Sequence, residues 1–390
     1  MFGGHRLQTQ MAPGLSVPVR KSALRSKRYS SMLGPFVWFG WLSRGIPKPA
    51  GQSPIAIADI QVPIAPPFGN GARRPVAAQI WYPLVNGPPK PLIIYVPVWA
   101  SVRSDNSVVC ANLASHGFIV VGIDDIIHDP LPPNSPASYA ELRQILYEID
   151  TDAQRDRILS VVGSRVDLQV AKLQSFLDAL DPLPASWPAE AVFDADRIGI
   201  FGASFGGAAA VEFAQSTSRR IAAIVNLDGW LQGTAAVRPI ESPFAEFNST
   251  RGMPPPDAIH YTNPMKRFFA TIQAKSTIIV QRQLAMRDDC IRVSIEGADH
   301  ADFYDKLYSP ERWKQWRPWR PRIIRPERLR TVLDAYLVAF FETYLLGKAS
   351  PLLKAGASPY PEVTCEVGRA PTPPTPAVTP VSRSDLSATA

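Results

Sequence analysis

The sequence predicts an α/β fold: a mostly parallel central sheet with antiparallel edge strands and helices on both faces. Three observations predict it. Strand-length and helix-length segments alternate along most of the chain. Several strand-length segments, among them Pro91–Val96 (PLIIYV) and Phe118–Ile123 (FIVVGI), are apolar throughout, as strands covered on both faces are. The first two strand-like segments are joined by a loop with no helix between them, which suits an antiparallel edge.

The elements follow in order. Ile55–Val62 alternates like a half-buried strand, and Val76–Tyr82 (VAAQIWY) is the second strand. Pro91–Val96 is the third. Asn106–His116 reads as a helix, with Gly117 placed to cap it. Phe118–Ile123 is a buried strand ending at Asp124 and Asp125. A proline-rich connection becomes helical from about Ser138. Within it Val166, Val170, Leu173, Leu177 and Leu180 fall on one helical face, directed at the sheet. Arg197–Phe201 (RIGIF) is a strand, Gly206–Gln215 a helix and Ile221–Leu227 a strand. Pro243–Phe247 and Ser276–Val280 compete for the next strand. Ile291–Ile295 follows as the last strand, and Arg328–Leu346 is an amphipathic closing helix.

The chain has 390 residues, 46% apolar and 19% charged, enough for one large domain with a sizeable core. It divides into a basic leader (1–52), a folded domain (53–347) and a C-terminal extension (348–390), disordered from about 366 where the sequence becomes low-complexity. Asp59 is the first acidic residue. In the leader a basic cluster, Arg25–Arg28, precedes a short apolar run, Met32–Leu42. That order is the order of an export signal, so export is the expectation; a disordered leader is the alternative. The run is too short to span a bilayer comfortably.

The net charge is +7 and the sequence pI about 9.3. The basic residues gather near the N-terminus and between Arg312 and Arg330, and no nucleic-acid-binding signature accompanies them, so no nucleic-acid partner is expected. Cys110, Cys290 and Cys365 show no CxxC spacing. One disulfide, Cys290–Cys365, and three free thiols are both open.

Gly202-Ala203-Ser204-Phe205-Gly206 is a G-x-S-x-G pentapeptide. Alone it is a weak signal. Its setting, after the buried strand RIGIF and before the helix GAAAVEFAQ, is the strand–turn–helix of the nucleophile elbow in an α/β-hydrolase fold. The serine sits at a strained turn, so Gly202 and Gly206 leave room where strand and helix nearly touch. The Phe205 N–H at the helix N-terminus faces a developing oxyanion. A serine nucleophile needs a base. His300 follows the strand IRVSIEG, at the carboxyl end of a late strand and downstream of Ser204, as the chain order Ser…Asp…His requires. His5, His116, His128 and His260 have no such setting. Asp228, ending the strand IAAIVNLD, is the favoured acid; Asp288 and Asp289 are its rivals.

Four segments carry a resemblance: LASHGFIVVGIDD (Leu113–Asp125), GASFGG (Gly202–Gly207), NLDGW (Asn226–Trp230) and EGADHADF (Glu296–Phe303). In this order they resemble the platelet-activating factor acetylhydrolases and the related cutinase-like and dienelactone-hydrolase-like esterases, over roughly residues 53–347. Leu227-Asp228-Gly229-Trp230 matches the acid segment of the acetylhydrolases; cutinase-like enzymes place the acid a strand later. The family's oxyanion loop usually reads histidine-glycine-x-glycine, whereas this chain has Pro97-Val98-Trp99-Ala100; the cutinase-like enzymes have proline-glycine-aromatic at this place, and that resemblance makes Trp99 the candidate second oxyanion donor. The resemblance implies a carboxylic ester hydrolase working through an acyl-enzyme on short-acyl lipid or phospholipid esters, without metal or organic cofactor. A polyester or cutin hydrolase is the alternative within the group. A catalytically inactive hydrolase fold serving as a binding module is the alternative outside it. Trp313–Arg320 has no counterpart in the family and, within 312–330, offers a lid or a peripheral membrane contact; a packed surface loop is the plainer reading.

Overall fold

Alternation makes the edge strand. In β1 (Ile55–Ile64), Ile60, Val62 and Ile64 are buried while Asp59, Gln61 and Pro63 face outward. It pairs antiparallel with β2 (Arg74–Pro83) along its whole length. Interior strands read differently. β3 (Lys90–Val96) is buried from Pro91 onward, and after helix α1 (Ser107–Ser115) every residue of β4 (Ile119–Ile123) is buried. The computed structural model describes residues 47–66, 71–126, 151–251, 259–260, 262–309, 323–355 and 358–369. The leader up to residue 46, the expected helix start near Ser138 and the Trp313–Arg320 segment lie outside these residues.

Helix α2 (Asp152–Asp178) opens on a capping box: Thr151 Oγ1 accepts the Gln154 N–H at 3.2 Å, and Gln154 Oε1 accepts the Thr151 N–H at 2.8 Å. Its residues Val166, Leu173 and Leu177, with Leu180 just beyond, are buried against the sheet at the expected helical spacing. β5 (Phe193–Ala203) leads through Ser204 into α3 (Phe205–Ser216), followed by β6 (Ile221–Leu227) and β7 (Phe244–Arg251). Ser276–Val280, the rival for that strand, is helical. It lies inside α4 (Pro264–Met286), whose start is fixed by Asn263 Oδ1 accepting the Lys266 N–H and by Pro264. The β-branched run STIIV imitates a strand. Yet Phe268, Ile272, Ser276, Ile279 and Gln283 are buried at helical steps, and Ile278 is 56% exposed.

β8 (Cys290–Asp299) is followed by α5 (Pro326–Leu346), which ends at Gly347 in the left-handed conformation (φ 70°). One strand was not expected. Val363–Val367 forms β9, antiparallel to β8, so the sheet continues past residue 347. Arg292 on β8 holds Glu366 on β9 with its Nε 2.8 Å from Glu366 Oε1. Cys365 lies opposite Val293, away from Cys290, and all three cysteines are free thiols.

The sheet order among the described residues is β1-β2-β4-β3-β5-β6-β7-β8-β9. The run from β4 to β8 is parallel, while β1, β2 and β9 pair antiparallel. Two apolar cores result. Leu92, Ile94 and Val96 face α2, α3 and α4, while Ile93 and Tyr95 of the same strand face α1 and α5. Each fully buried aliphatic side chain in them contributes roughly 1.5–3 kcal/mol. This is the α/β-hydrolase architecture that the strand–helix alternation predicts. Arg330, at the end of the basic stretch 312–330, is buried in α5 and paired with Asp334 at 2.5 Å.

Candidate active site

The turn between β5 and α3 is built by what its residues lack. A Cβ on Gly202 would stand 2.2 Å from Gly206 O, and a Cβ on Gly206 would stand 2.2 Å from Val96 O. Strand and helix therefore meet backbone to backbone. Ser204, between them, adopts φ 54° and ψ −123°, a conformation costly for any residue with a side chain. The turn is held from below, where the Ser204 N–H donates to Leu227 O at 2.9 Å. The strain lifts the hydroxyl out of the sheet toward its carboxyl edge.

Two other strands end at that edge. His300 is the residue after β8, and its Nε2 lies 2.9 Å from Ser204 Oγ. Asp228 is the residue after β6, and its Oδ2 lies 2.7 Å from His300 Nδ1. A carboxylate at Nδ1 keeps the proton on that nitrogen and leaves Nε2 free to accept from the serine. Asp228 is itself in the left-handed region (φ 57°) and buried. It accepts two further hydrogen bonds, from the Ser249 N–H at 2.9 Å and the Ser249 Oγ–H at 2.8 Å. Burial of the imidazole opposes its protonation. The hydrogen bond and charge of Asp228, with the charge of Asp299 added, outweigh it and raise His300 above the usual 6.5.

The other candidates lie elsewhere. Asp288 and Asp289 precede β8, at the opposite end of the strand from His300, and Asp289 is engaged by Arg287, whose Nε donates at 2.7 Å. His116 caps α1, its Nδ1 2.8 Å from Asn112 O, and His260 is exposed. His5 and His128 are outside the described residues.

The backbone N–H groups of Phe205, next to the serine in the chain, and of Trp99 have no acceptor among the described residues. The amides flanking Trp99 are occupied: Val98 donates to Asp105 Oδ2 (3.3 Å) and Ala100 to Asp125 Oδ2 (2.7 Å). Left-handed geometry falls at Ala100 (φ 57°), so Val98 stands where the backbone demands no glycine. The Trp99 indole meets the Phe205 ring edge-on at 4.9 Å between centroids. Trp99, Trp230, Phe269, Leu159 and Val161 form a half-buried apolar wall over a small core of Ile158, Val162, Phe268 and Ile272.

Beneath the site lies a polar row that the sequence did not announce. Gly202, Asn226, Glu246, Arg292 and Glu366 are successive partners across five strands. Asn226 clamps the acid turn. Its Nδ2–H donates to Gly229 O at 2.8 Å, and its Oδ1 accepts the Gly229 N–H at 3.0 Å. The same Oδ1 lies 1.9 Å from where a Cβ of Gly207 would be, so one amide is wedged between the serine turn and the acid turn. Asn226 Nδ2 also donates to Glu246 Oε2 at 2.7 Å. Burial and the nearby charge of Asp228 push the Glu246 carboxyl well above the usual carboxylate range. Of the polar residues in this row, only Asn226 stood out in the sequence, and there within NLDGW, the carrier of Asp228.

No known protein-family model matches the chain, and no curated protein matches it. Among solved structures it is similar to a ferulic acid esterase from Streptomyces cinnamoneus. The TM-score is 0.57 and the identity 20%, over 82% of this chain and 98% of the other. At that identity the likeness establishes the fold.

Proposed function

We propose that this chain is a carboxylic ester hydrolase that works by acyl transfer. The observation that carries the reading is the continuous relay Ser204–His300–Asp228, with separations of 2.9 and 2.7 Å, at one carboxyl edge of the sheet. In this mechanism His300 Nε2 takes the proton of Ser204 Oγ as the oxygen attacks the ester carbonyl. Asp228 stabilises the imidazolium. The Phe205 and Trp99 N–H groups receive the oxyanion, and the imidazolium returns its proton to the departing alcohol. Water activated by His300 then releases the acid and frees Ser204. The structural neighbour's name, an esterase, agrees with this chemistry.

For the substrate we propose short-acyl lipid or phospholipid esters, as in the acetylhydrolase group. Two features support it. The acid lies at the end of β6, in the Leu227-Asp228-Gly229-Trp230 segment, and the half-buried apolar wall of Trp99, Trp230 and Phe269 suits an acyl chain. The Pro97-Val98-Trp99 loop favours a second reading, polyester hydrolysis. Release of product from polymer films, set against release from short-acyl phospholipid, separates the two. The decisive test of the chemistry is Ser204→Ala. Hydrolysis of p-nitrophenyl acetate should fall by roughly 10⁴-fold or more with the melting temperature unchanged. Full activity in that variant would mean that Ser204 is not the nucleophile; a folded wild type that neither hydrolyses the ester nor is labelled by a fluorophosphonate would mean a binding module on a hydrolase fold.

A further inference from the structure

Helix α2 crosses the same face of the sheet as the serine-turn helix, and its inward side is mostly apolar. Arg165, Gln169 and Lys172 depart from that pattern. Steps of four and three residues put them on one side of the helix, and each is at most 1% exposed. Burying three long polar side chains is costly unless each has a task. All three reach the residues that leave β4. Lys172 Nζ donates to Asp124 O at 2.9 Å, Gln169 Oε1 accepts the Ile126 N–H at 2.7 Å, and Arg165 Nη2 lies 4.0 Å from Asp125 Oδ1.

That exit segment holds the loop carrying Trp99. Asp125 Oδ2 takes the Ala100 N–H at 2.7 Å, and the Asp125 N–H donates to Ser101 O at 3.2 Å. Ala100 is left-handed at φ 57°, a conformation that persists in a non-glycine residue only when its surroundings impose it. Arg165 acts on the loop a second time, its guanidinium lying over the Trp99 indole at 5.0 Å from the ring centroid. One buried cation thus stands within ion-pair distance of the carboxylate that holds the loop's backbone and over the loop's indole ring.

We infer that the buried Arg165–Asp125 pair is a brace that aims the Trp99 N–H at the oxyanion. Both are positioning residues; neither contacts substrate. The inference rests on the proposed roles of Ser204 as nucleophile and of Trp99 as oxyanion donor.

The test uses the full chain with Arg165→Met, Arg165→Lys, Asp125→Ala and Asp125→Asn. Reactive sites are counted by end-point fluorophosphonate labelling, so kcat on p-nitrophenyl acetate is expressed per intact site. Losing one oxyanion donor lowers kcat by about 100-fold or more. Arg165→Met and Asp125→Ala should show about that loss, with KM nearly unchanged and affinity for a boronic acid inhibitor falling in parallel. Asp125→Asn keeps an oxygen for the Ala100 N–H and should recover much of the rate. Arg165→Lys keeps the charge but not the planar stack and should lose about tenfold, since the two cations are not equivalent at a stacked site. A purely structural role would reduce the number of labelled sites and leave kcat per site intact. That result in Arg165→Met, or in Arg165→Lys if the former does not fold, overturns the inference. Ser204→Ala is the control beneath it. Hydrolysis surviving there sinks the nucleophile assignment itself; hydrolysis lost there, with per-site rates intact in the Arg165 variants, sinks the brace alone.

Discussion

Asp228 Oδ2 serves two donors at once, His300 Nδ1 and the Ser249 hydroxyl. This crowding has a pH signature. In the proposed mechanism His300 works only when neutral, and Asp228 raises its pKa above 6.5 against the effect of burial. Activity should therefore rise with pH along a limb whose midpoint, read from kcat/KM, lies above 6.5. Asp228→Asn removes the largest influence raising it, so the limb should move to lower pH while kcat drops by roughly 10⁴-fold. A limb that stays put would show that Asp228 does not govern His300. Glu246 gives a second test, in stability. Its folded pKa is raised, so between the ordinary value of 4.5 and that raised value the folded state holds a proton that the unfolded chain releases. Stability is thus lost as pH climbs through this window. Glu246→Gln keeps an oxygen for Asn226 and has no proton to release. Its melting temperature should fall less than the wild type's between pH 5 and 8. Glu246→Leu, which strips the Asn226 amide of its acceptor, should cost about 1–3 kcal/mol at any pH.

At the level of elements, glycine is needed in some places and idle in others. Gly206→Ala would drive a methyl group into Val96 O and Pro97 O, at 2.2 and 2.4 Å, where only backbone can yield. It should destabilise by about 3 kcal/mol or more and abolish activity. Gly163, inside α2, has no atom within 4 Å of its would-be Cβ among the described residues. Gly163→Ala should stabilise by about 0.5–1 kcal/mol, read from denaturant midpoints, with kcat unchanged. The same contrast separates what the sequence revealed from what it concealed. Interior strands such as β3 and β4 declare themselves because burial on both faces leaves no polar position. The serine turn declares itself because steric need writes glycines at fixed offsets. Asn226, Glu246 and Arg165 do not. A polar residue inside an apolar segment reads as surface until its partner is known, and Glu246 finds Asn226 twenty residues away. STIIV misled for the opposite reason: β-branched residues serve a helix well when its neighbours bury it. β9 is only five residues long beside a low-complexity tail, and tertiary pairing alone makes it a strand.

At the scale of the whole molecule, the sheet places its chemistry by strand order. Parallel strands bring their carboxyl ends to one edge, so β5, β6 and β8 each deliver one member of the relay with no special path for the chain. The antiparallel strands flank this centre and contribute no residue to it. The general architecture was therefore readable from alternation and apolar runs, and so was the edge at which reactive side chains would gather. Ser204 and His300 stand 96 residues apart in the chain, and Asp228 and His300 stand 72 apart. No local contact brings these groups together; they meet only when β8 has docked beside β7. On the proposed function, a nascent chain is accordingly inert toward esters. On the proposed mechanism the serine is armed by the last of the parallel strands to be synthesised, so completion of the parallel run and onset of reactivity are one event.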